Sequence, residues 1–234
     1  MAYLKPDKPE KVYVPALRAA KEKGEKLVCL TAYDYPTARI VDEAGVDIIL
    51  VGDSMGNVIH GYDNTIPVTL DEICSATKAV KRGSSRALLV ADMPYGSFHT
   101  GDNKAVRNAL TLMKDGGAEA VKLEGGRNRV RLVKRLVDEE IPVMAHVGLT
   151  PQSVHKMGGY RVQAKTKDAA EILIEDAKES RIDTKTISID SRLRKAPRMS
   201  RPYQSWTPRQ SQLTSASART WATGRAIFCL RCAV

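Results

Sequence analysis

A parallel α/β fold is predicted for this chain from three observations. Short apolar, β-rich runs alternate with segments of helical character over the first 180 residues; the runs are continuously apolar; and each ends in polar residues at its C-terminal edge. Strand–helix alternation requires crossover connections, and crossovers join parallel strands. Continuous apolar runs are expected where helices cover one face of a sheet and a barrel interior or a second helix layer covers the other. With 234 residues the chain has length enough for one substantial core, which is the size range of single-domain α/β barrels.

The elements follow in order. KLVCLTAYD reads as a first strand and YPTARIVDEAG as a helix, with Ala38 and Val41 at helical spacing before the stop at Gly45. VDIILVGDS is a second strand, and RALLVADMP a third that leads to the helical NKAVRNALTLMKDGG, closed by Gly116 and Gly117. AEAVKLEGG, the helix-like RVRLVKRLVDEE and the strand IPVMAHVGLTP complete five β units. After about Ser180 the text changes: residues 181–234 contain no Glu, one Gly and nine Arg, and no strand-then-helix rhythm is read there. The expected organisation is a body over 1–180 and a basic Ser/Arg-rich tail over 181–234, disordered or frame-shifted.

Composition narrows the function classes. Hydrophobic residues are 43 % and charged residues 27 %, and no apolar run approaches the roughly 18 residues of a membrane span. The N-terminal stretch has neither the apolar core of a secretory signal nor the acid-poor composition of a transit peptide, so a cytoplasmic location is expected. Of four cysteines only Cys229 and Cys232 are closely spaced, and without a second pair they read as reduced thiols. The net charge of +10 belongs to the tail: residues 1–180 hold 26 Lys+Arg against 25 Asp+Glu, and residues 181–234 hold 11 against 2. A balanced body gives no electrostatic argument for nucleic-acid binding.

The chemistry is expected at the strand ends, because parallel α/β folds build their sites where the carboxyl ends of strands and their loops converge. These ends carry Thr31 and Asp34, Asp53 and Ser54, Asp92, Lys122 and Glu124, and His146. Asp53, Asp92 and Glu124 are hard oxygen donors suited to Mg²⁺, and Lys122 shares a strand face with Glu124, so a cation beside a metal would suit a small anionic substrate. Each has a plainer reading: Asp53 as a helix cap, Lys122 and Glu124 as a solvated pair, Gly125 and Gly126 as a turn, His146 as a satisfied core histidine. No phosphate-binding glycine loop is present, against a dinucleotide or nucleoside-triphosphate enzyme.

TAYDYPTA, VGDSMGNVIHGYDNTIPVTLDEI, LLVADMPYGSF, VKLEGG and HVGLTPQSVHKMGGYRVQ, in this order and spacing, resemble the ketopantoate hydroxymethyltransferase family over roughly residues 25–178. The resemblance implies a (β/α)8 TIM barrel of the phosphoenolpyruvate/pyruvate-like type, forming homo-oligomers, in the family decamers. It implies transfer of a one-carbon unit from 5,10-methylenetetrahydrofolate to 3-methyl-2-oxobutanoate, giving 2-dehydropantoate in pantothenate biosynthesis through a Mg²⁺-stabilised enolate. By resemblance Asp53 and Asp92 bind Mg²⁺ with Glu124 contributing, Asp53, Ser54, Asp92 and Lys122 contact the keto acid, and His146 supports the site. The alternatives are another Mg²⁺-dependent keto-acid barrel enzyme, such as a phosphoenolpyruvate mutase or isocitrate lyase relative, and a non-catalytic protein. The latter would bind nucleic acid through Arg192, Arg194, Lys195, Arg198 and Arg201 with Tyr203 and Trp206.

The resemblance stops in the tail, where strands 6 to 8 are not recognisable. The family's general base, a glutamate ending strand 6, has no counterpart there, nor has its seventh-strand motif I-G-I-G-A-G. Thr214–Arg219 can be encoded so that another frame reads Ile-Gly-Ile-Gly-Ala, so residues after about 180 are expected to be a shifted reading of the family's C-terminal part. The polypeptide as written is then expected to fold poorly or lack activity.

Overall fold

The computed structural model describes residues 10–160 and 163–179, and the backbone of residues 186–191. Helix α1 (Val14–Glu22) carries Pro15 in its first turn, where the missing N–H would be unbonded in any case, and buries Leu17 and Ala20. Strand β1 (Cys29–Thr31) leads to α2 (Tyr35–Glu43), whose cap Asp34 accepts the Thr37 N–H at 2.8 Å. Asp34 therefore starts a helix and does not line a site. Then come β2 (Ile48–Val51), the short α3 (Met55–Val58) and α4 (Leu70–Gly83). A capping box opens α4: Thr69 accepts from the Glu72 backbone, and the Glu72 carboxylate accepts from the Thr69 N–H at 2.6 Å. The rest of the chain supplies β3 (Leu88–Asp92), α5 (Asp102–Lys114), β4 (Ala120–Glu124), α6 (Val130–Asp138), β5 (Val143–Gly148), α7 (Val154–Met157), α8 (Lys167–Glu179) and β6 (Thr186–Ser191).

All neighbouring strands are parallel, and their spatial order β1-β2-β3-β4-β5-β6 is their order in the chain. A doubly wound sheet reverses direction part-way; an unbroken sequential order is the wall of a barrel. The described residues thus form part of a TIM-like barrel. A sixth strand, not recognisable in the sequence after about residue 180, follows β5. Thr186–Ser191 alternates β-branched with small polar residues, a pattern suited to a strand but too short to stand out in an Arg/Ser-rich text, and β5 offers it a ladder from Val143↔Thr186 to Gly148↔Ser191. Helices α1, α4 and α8, not read individually from the sequence, complete the alternation. The proposed frame shift at Thr214–Arg219, Cys229 and Cys232, and the basic residues from Arg192 onward lie outside the described residues.

The two faces of the sheet differ. On the outside Ile49, Val51, Leu89, Ala91, Val121, Leu123 and Val143 pack under α2, α4, α5 and α6 in one core with Ile73, Leu112 and Leu136. Each valine, leucine or isoleucine among them, fully removed from water, contributes on the order of 2 kcal/mol. On the inside the composition changes along the strand direction. Ile48, Leu88, Ala120 and Met144 pack with Val12 and Leu17, so α1 and the segment before it close the N-terminal end of the interior. Further along the same inward ladder, Val90 is followed by Asp92, Ala120 by Lys122 and Glu124, and Met144 by His146. The apolar layer supports the fold, and the polar layer above it is the candidate site.

One buried carboxylate holds the outer helices to the sheet. Asp42 of α2 accepts the backbone N–H groups of Ser85, Arg86 and Ala87, at 2.8, 3.1 and 2.7 Å, just before β3 begins. Burial works to raise its pKa, but the N–H groups of Ala87, Ser85 and Arg86 outweigh it and hold the pKa below the ordinary value. A depressed folded-state pKa stabilises above the unfolded pKa and is lost as pH falls through the folded value. Asp42→Asn is expected to lower stability at pH 7 by about 1.5–3 kcal/mol, the range for hydrogen bonds to a charged group. The deficit should shrink towards acid, which urea denaturation at a series of pH values would measure.

Candidate active site

Four strand ends deliver the polar layer. Lys122 is at the centre: its Nζ lies 2.8 Å from Asp92 Oδ2 and 3.9 Å from Glu124 Oε1, and all three side chains are almost wholly buried. Asp92 and Lys122 are register partners on β3 and β4, and Lys122 and Glu124 are two apart on one strand, which puts all three on one face. Asp53, just past β2, donates its backbone N–H to Asp92 Oδ2 at 3.1 Å. His146, opposite Glu124 in the β4–β5 ladder, brings Nδ1 to 3.3 Å from Glu124 Oε1.

Gly52 has a steric reason. A Cβ there would lie 2.9 Å from Ser54 Oγ, so glycine leaves room for the Ser54 hydroxyl, which pairs with Tyr33 OH at 2.8 Å. In the LVGDS turn Asp53 thus joins the layer that β3 and β4 also feed, while the Ser54 hydroxyl turns to Tyr33.

The charges are strongly coupled. Burial opposes the Lys122 cation, but the charges of Asp92, Glu124 and Asp53 prevail and its pKa stands above the ordinary lysine value. Asp92 is held well above the usual carboxylate range, first by burial and then by repulsion from Asp53 and Glu124, against the pull of Lys122. Asp53 is raised too, by burial and by Glu124. Glu124 goes the other way: burial would raise it, but the His146 hydrogen bond, Lys122 and the Gln152 N–H lower it. Tyr160, raised by burial and by the charges of Asp53 and Glu124, feels the same field from beyond α7.

Of the residues expected from the sequence, Asp53, Asp92, Lys122, Glu124 and His146 lie together here, Ser54 stands next to Asp53 with its hydroxyl on Tyr33, and Asp34 caps a helix instead. The expected ligand triad Asp53, Asp92 and Glu124 has a different disposition. Among the described residues no group of three or more His, Cys, Asp or Glu side chains is arranged to hold a metal ion. Glu124 is engaged, with Oε1 facing His146 and Lys122 and Oε2 accepting the Gln152 N–H at 3.0 Å. Asp53 and Asp92 remain as the pair suited to a cation, and Asp92 Oδ1 is buried with no hydrogen-bond partner among the described residues.

Two participants were not singled out from the sequence. Gln152 is 5 % exposed and donates Nε2 to Asp53 Oδ2 at 2.8 Å and to the Met93 carbonyl at 3.0 Å, tying the Asp53 turn to the segment after β5. Tyr33 supports Ser54. Both sit in quoted stretches, HVGLTPQS and TAYDYPTA, but neither carries a charge or a metal-ligand spacing that would mark it.

Acidic groups around a buried lysine, gathered at the carboxyl ends of sequential parallel strands, stand where β/α barrels build their sites. Solved structures share the fold. Phosphonopyruvate hydrolase in complex with oxalate and Mg²⁺ superposes with a TM-score of 0.56 at 13 % identity, over 80 % of this chain and 65 % of that one. 2,3-Dimethylmalate lyase, a PEP mutase/isocitrate lyase superfamily member, gives 0.53 at 17 % identity, over 77 % and 61 %. The chain itself belongs to the ketopantoate hydroxymethyltransferase family, whose pattern matches residues 11–182. A 3-methyl-2-oxobutanoate hydroxymethyltransferase of Koribacter versatilis is 57 % identical over 167 residues, 71 % of this chain and 57 % of that protein. One of Thermobifida fusca is 57 % identical over 169 residues, 72 % of this chain and 60 % of that protein. The chain thus spans less than two thirds of the length of these relatives.

Proposed function

We propose that the site binds 3-methyl-2-oxobutanoate and stabilises its enolate for attack on the methylene carbon of 5,10-methylenetetrahydrofolate, the hydroxymethyl transfer that gives 2-dehydropantoate. The observation that carries this reading is the buried Lys122 set between Asp92 and Glu124 beside Asp53. Lys122 keeps its proton and offers the substrate carboxylate a fixed cation. The Ser54 hydroxyl, held by Tyr33, is placed to hydrogen-bond the keto acid.

Mg²⁺ fits the remaining pair. It takes one or two carboxylates and leaves other positions to water and substrate oxygens, and Asp92 Oδ1 is a buried acceptor still without a partner among the described residues. Held by Asp53 and Asp92, the ion would supply positive charge to the enolate oxygen. Glu124 is a poor candidate to remove the C3 proton, because its neighbours hold its pKa down. No residue after 180 is a glutamate, so the family's base is not carried over. Binding of the keto acid is therefore expected to persist where turnover does not. The reading extends to a cytoplasmic homo-oligomer, whose contacts would cover the exposed Ile40, Val58 and Ile59.

Calorimetry of 3-methyl-2-oxobutanoate with Mg²⁺ and with a chelator tests the site. Binding only with Mg²⁺ is expected; binding indifferent to the chelator would remove the metal from the reading. A parallel assay of 2-dehydropantoate formation should run about a hundredfold or more below a full-length relative, the contribution of a general base. A rate equal to the relative's would show that the base is supplied from elsewhere in this chain.

A further inference from the structure

Beyond Glu124 lies a cleft walled by Tyr95, Phe98, His99, Asn128 and Arg129, which shares Glu124 and Gln152 with the carboxylate cluster. Two polar atoms of its lining residues are buried without hydrogen-bond partners among the described residues: Gln152 Oε1, an acceptor, and Arg129 Nε, a donor. The Gln152 amide cannot turn round to relieve this. Its Nε2 faces two acceptors, Asp53 Oδ2 and the Met93 carbonyl, and a flipped amide would set oxygen against both. Buried polar atoms are almost always bonded, so the wall is built for something that supplies a donor at one point and an acceptor at another.

The other residues narrow the ligand. His99 accepts the Gly96 N–H on Nδ1 at 3.1 Å, and burial and the Arg129 charge lower its pKa. The neutral ring therefore carries its proton on Nε2 as a further donor. A small inorganic anion is disfavoured, because the Glu124 carboxylate lines the same cleft. A purely apolar ligand would leave Gln152 and Arg129 unpaired. Phe98 is covered by the Arg129 guanidinium 5.0 Å from its ring centre and by His99 at 4.3 Å; Tyr95 has His99 at 4.7 Å on one side but is 46 % exposed and keeps ring surface for a ligand. The chemistry that answers all of these is a planar heterocycle with donors and acceptors along its edge, stacked on an aromatic ring.

We propose that this cleft is the subsite for the one-carbon donor, its pterin ring lying against Tyr95 with its edge bonded by Arg129, Asn128 and Gln152. The inference rests on the hydroxymethyl-transfer reading above and adds to it where the second substrate binds. The shared Glu124 and Gln152 make the geometry productive: a ligand here abuts one held at Lys122, and bond formation requires the two reacting carbons to be brought into contact.

The probe is tetrahydrofolate, which lacks the transferable methylene and so reports binding alone. Its affinity for the full chain would be measured by calorimetry beside that of 3-methyl-2-oxobutanoate with Mg²⁺. Arg129→Met and Tyr95→Ala should each weaken tetrahydrofolate about tenfold or more, the scale of one lost polar or stacking contact, and leave keto-acid binding unchanged. Unchanged keto-acid binding also shows that the variants fold; should either fail to, the exposed Asn128→Ala takes its place. Tetrahydrofolate binding that is absent while the keto acid binds, or equal in wild type and variants, overturns the subsite. Loss of both ligands in the unsubstituted chain overturns the functional reading itself.

Discussion

Lys122→Met should destabilise the folded protein by about 3–5 kcal/mol at neutral pH, the cost of removing one partner from a buried ion pair. Methionine has nearly the volume of lysine, so little is lost in packing; the change is electrostatic. The ammonium now sits 2.8 Å from Asp92 and 3.9 Å from Glu124, and without it two inward carboxylates and Asp53 face one another with their main counter-charge gone. Burial and mutual repulsion already hold the pKa values of Asp92 and Asp53 above the ordinary range. Removing Lys122 raises them further, and a raised folded-state pKa gives stability that is present at low pH and lost as pH rises through it. The deficit should therefore be greatest in the alkaline range and smaller in acid; it shrinks towards acid as for Asp42→Asn but from a higher pH, because the Asp92 and Asp53 pKa values are raised where that of Asp42 is lowered. Denaturant midpoints of the two variants across pH measure this offset, and deficits that decline over the same pH range would refute the assignment.

The second large effect concerns Asp92. Mg²⁺ should raise the thermal midpoint of the unsubstituted chain, because an ion that binds only the folded state adds about 2.7 kcal/mol at a concentration a hundred times its dissociation constant. Asp92→Asn should weaken Mg²⁺ binding by about a hundredfold or more, since even outer residues of metal sites cost 10–100-fold, and should abolish most of that rise. Because the two carboxylates have raised pKa values, protons compete with the ion, and the wild-type rise should fade as pH is lowered. Differential scanning fluorimetry with and without Mg²⁺ at several pH values is sufficient. An Asp92→Asn chain that gains as much from Mg²⁺ as wild type would place the ion elsewhere.

Legibility in the sequence followed the kind of signal each element carries. Strands β2 to β5 were readable because burial on both faces writes them as unbroken apolar runs. The polar residues at their ends stood out as candidate site residues because several strand ends in succession carry them, although each alone has a plainer reading. Strand β6 was not, since the partner that makes Thr186–Ser191 a strand is the β5 edge, a non-local cause that no six-residue window contains. Helix α4 could have been found from Thr69 and Glu72, whose capping box is a local signal. Gln152 could not: a neutral amide becomes part of the site through the fold that sets it 2.8 Å from Asp53, 99 residues earlier. Asp34 shows the converse, an acidic strand end that serves only its own helix.

Helix α1 has a bearing on traffic through the molecule. With Leu17 and Val12 closing the apolar end of the described strands, a molecule bound for Lys122 cannot come from that end. Lys122 is 4 % exposed and Tyr95, at the rim, 46 %. With the keto acid at the lysine and the pterin at the tyrosine, as proposed, the deeper guest is expected to arrive first and depart last. A queue of this kind is a property of the stopper, fixed by an element that touches neither guest.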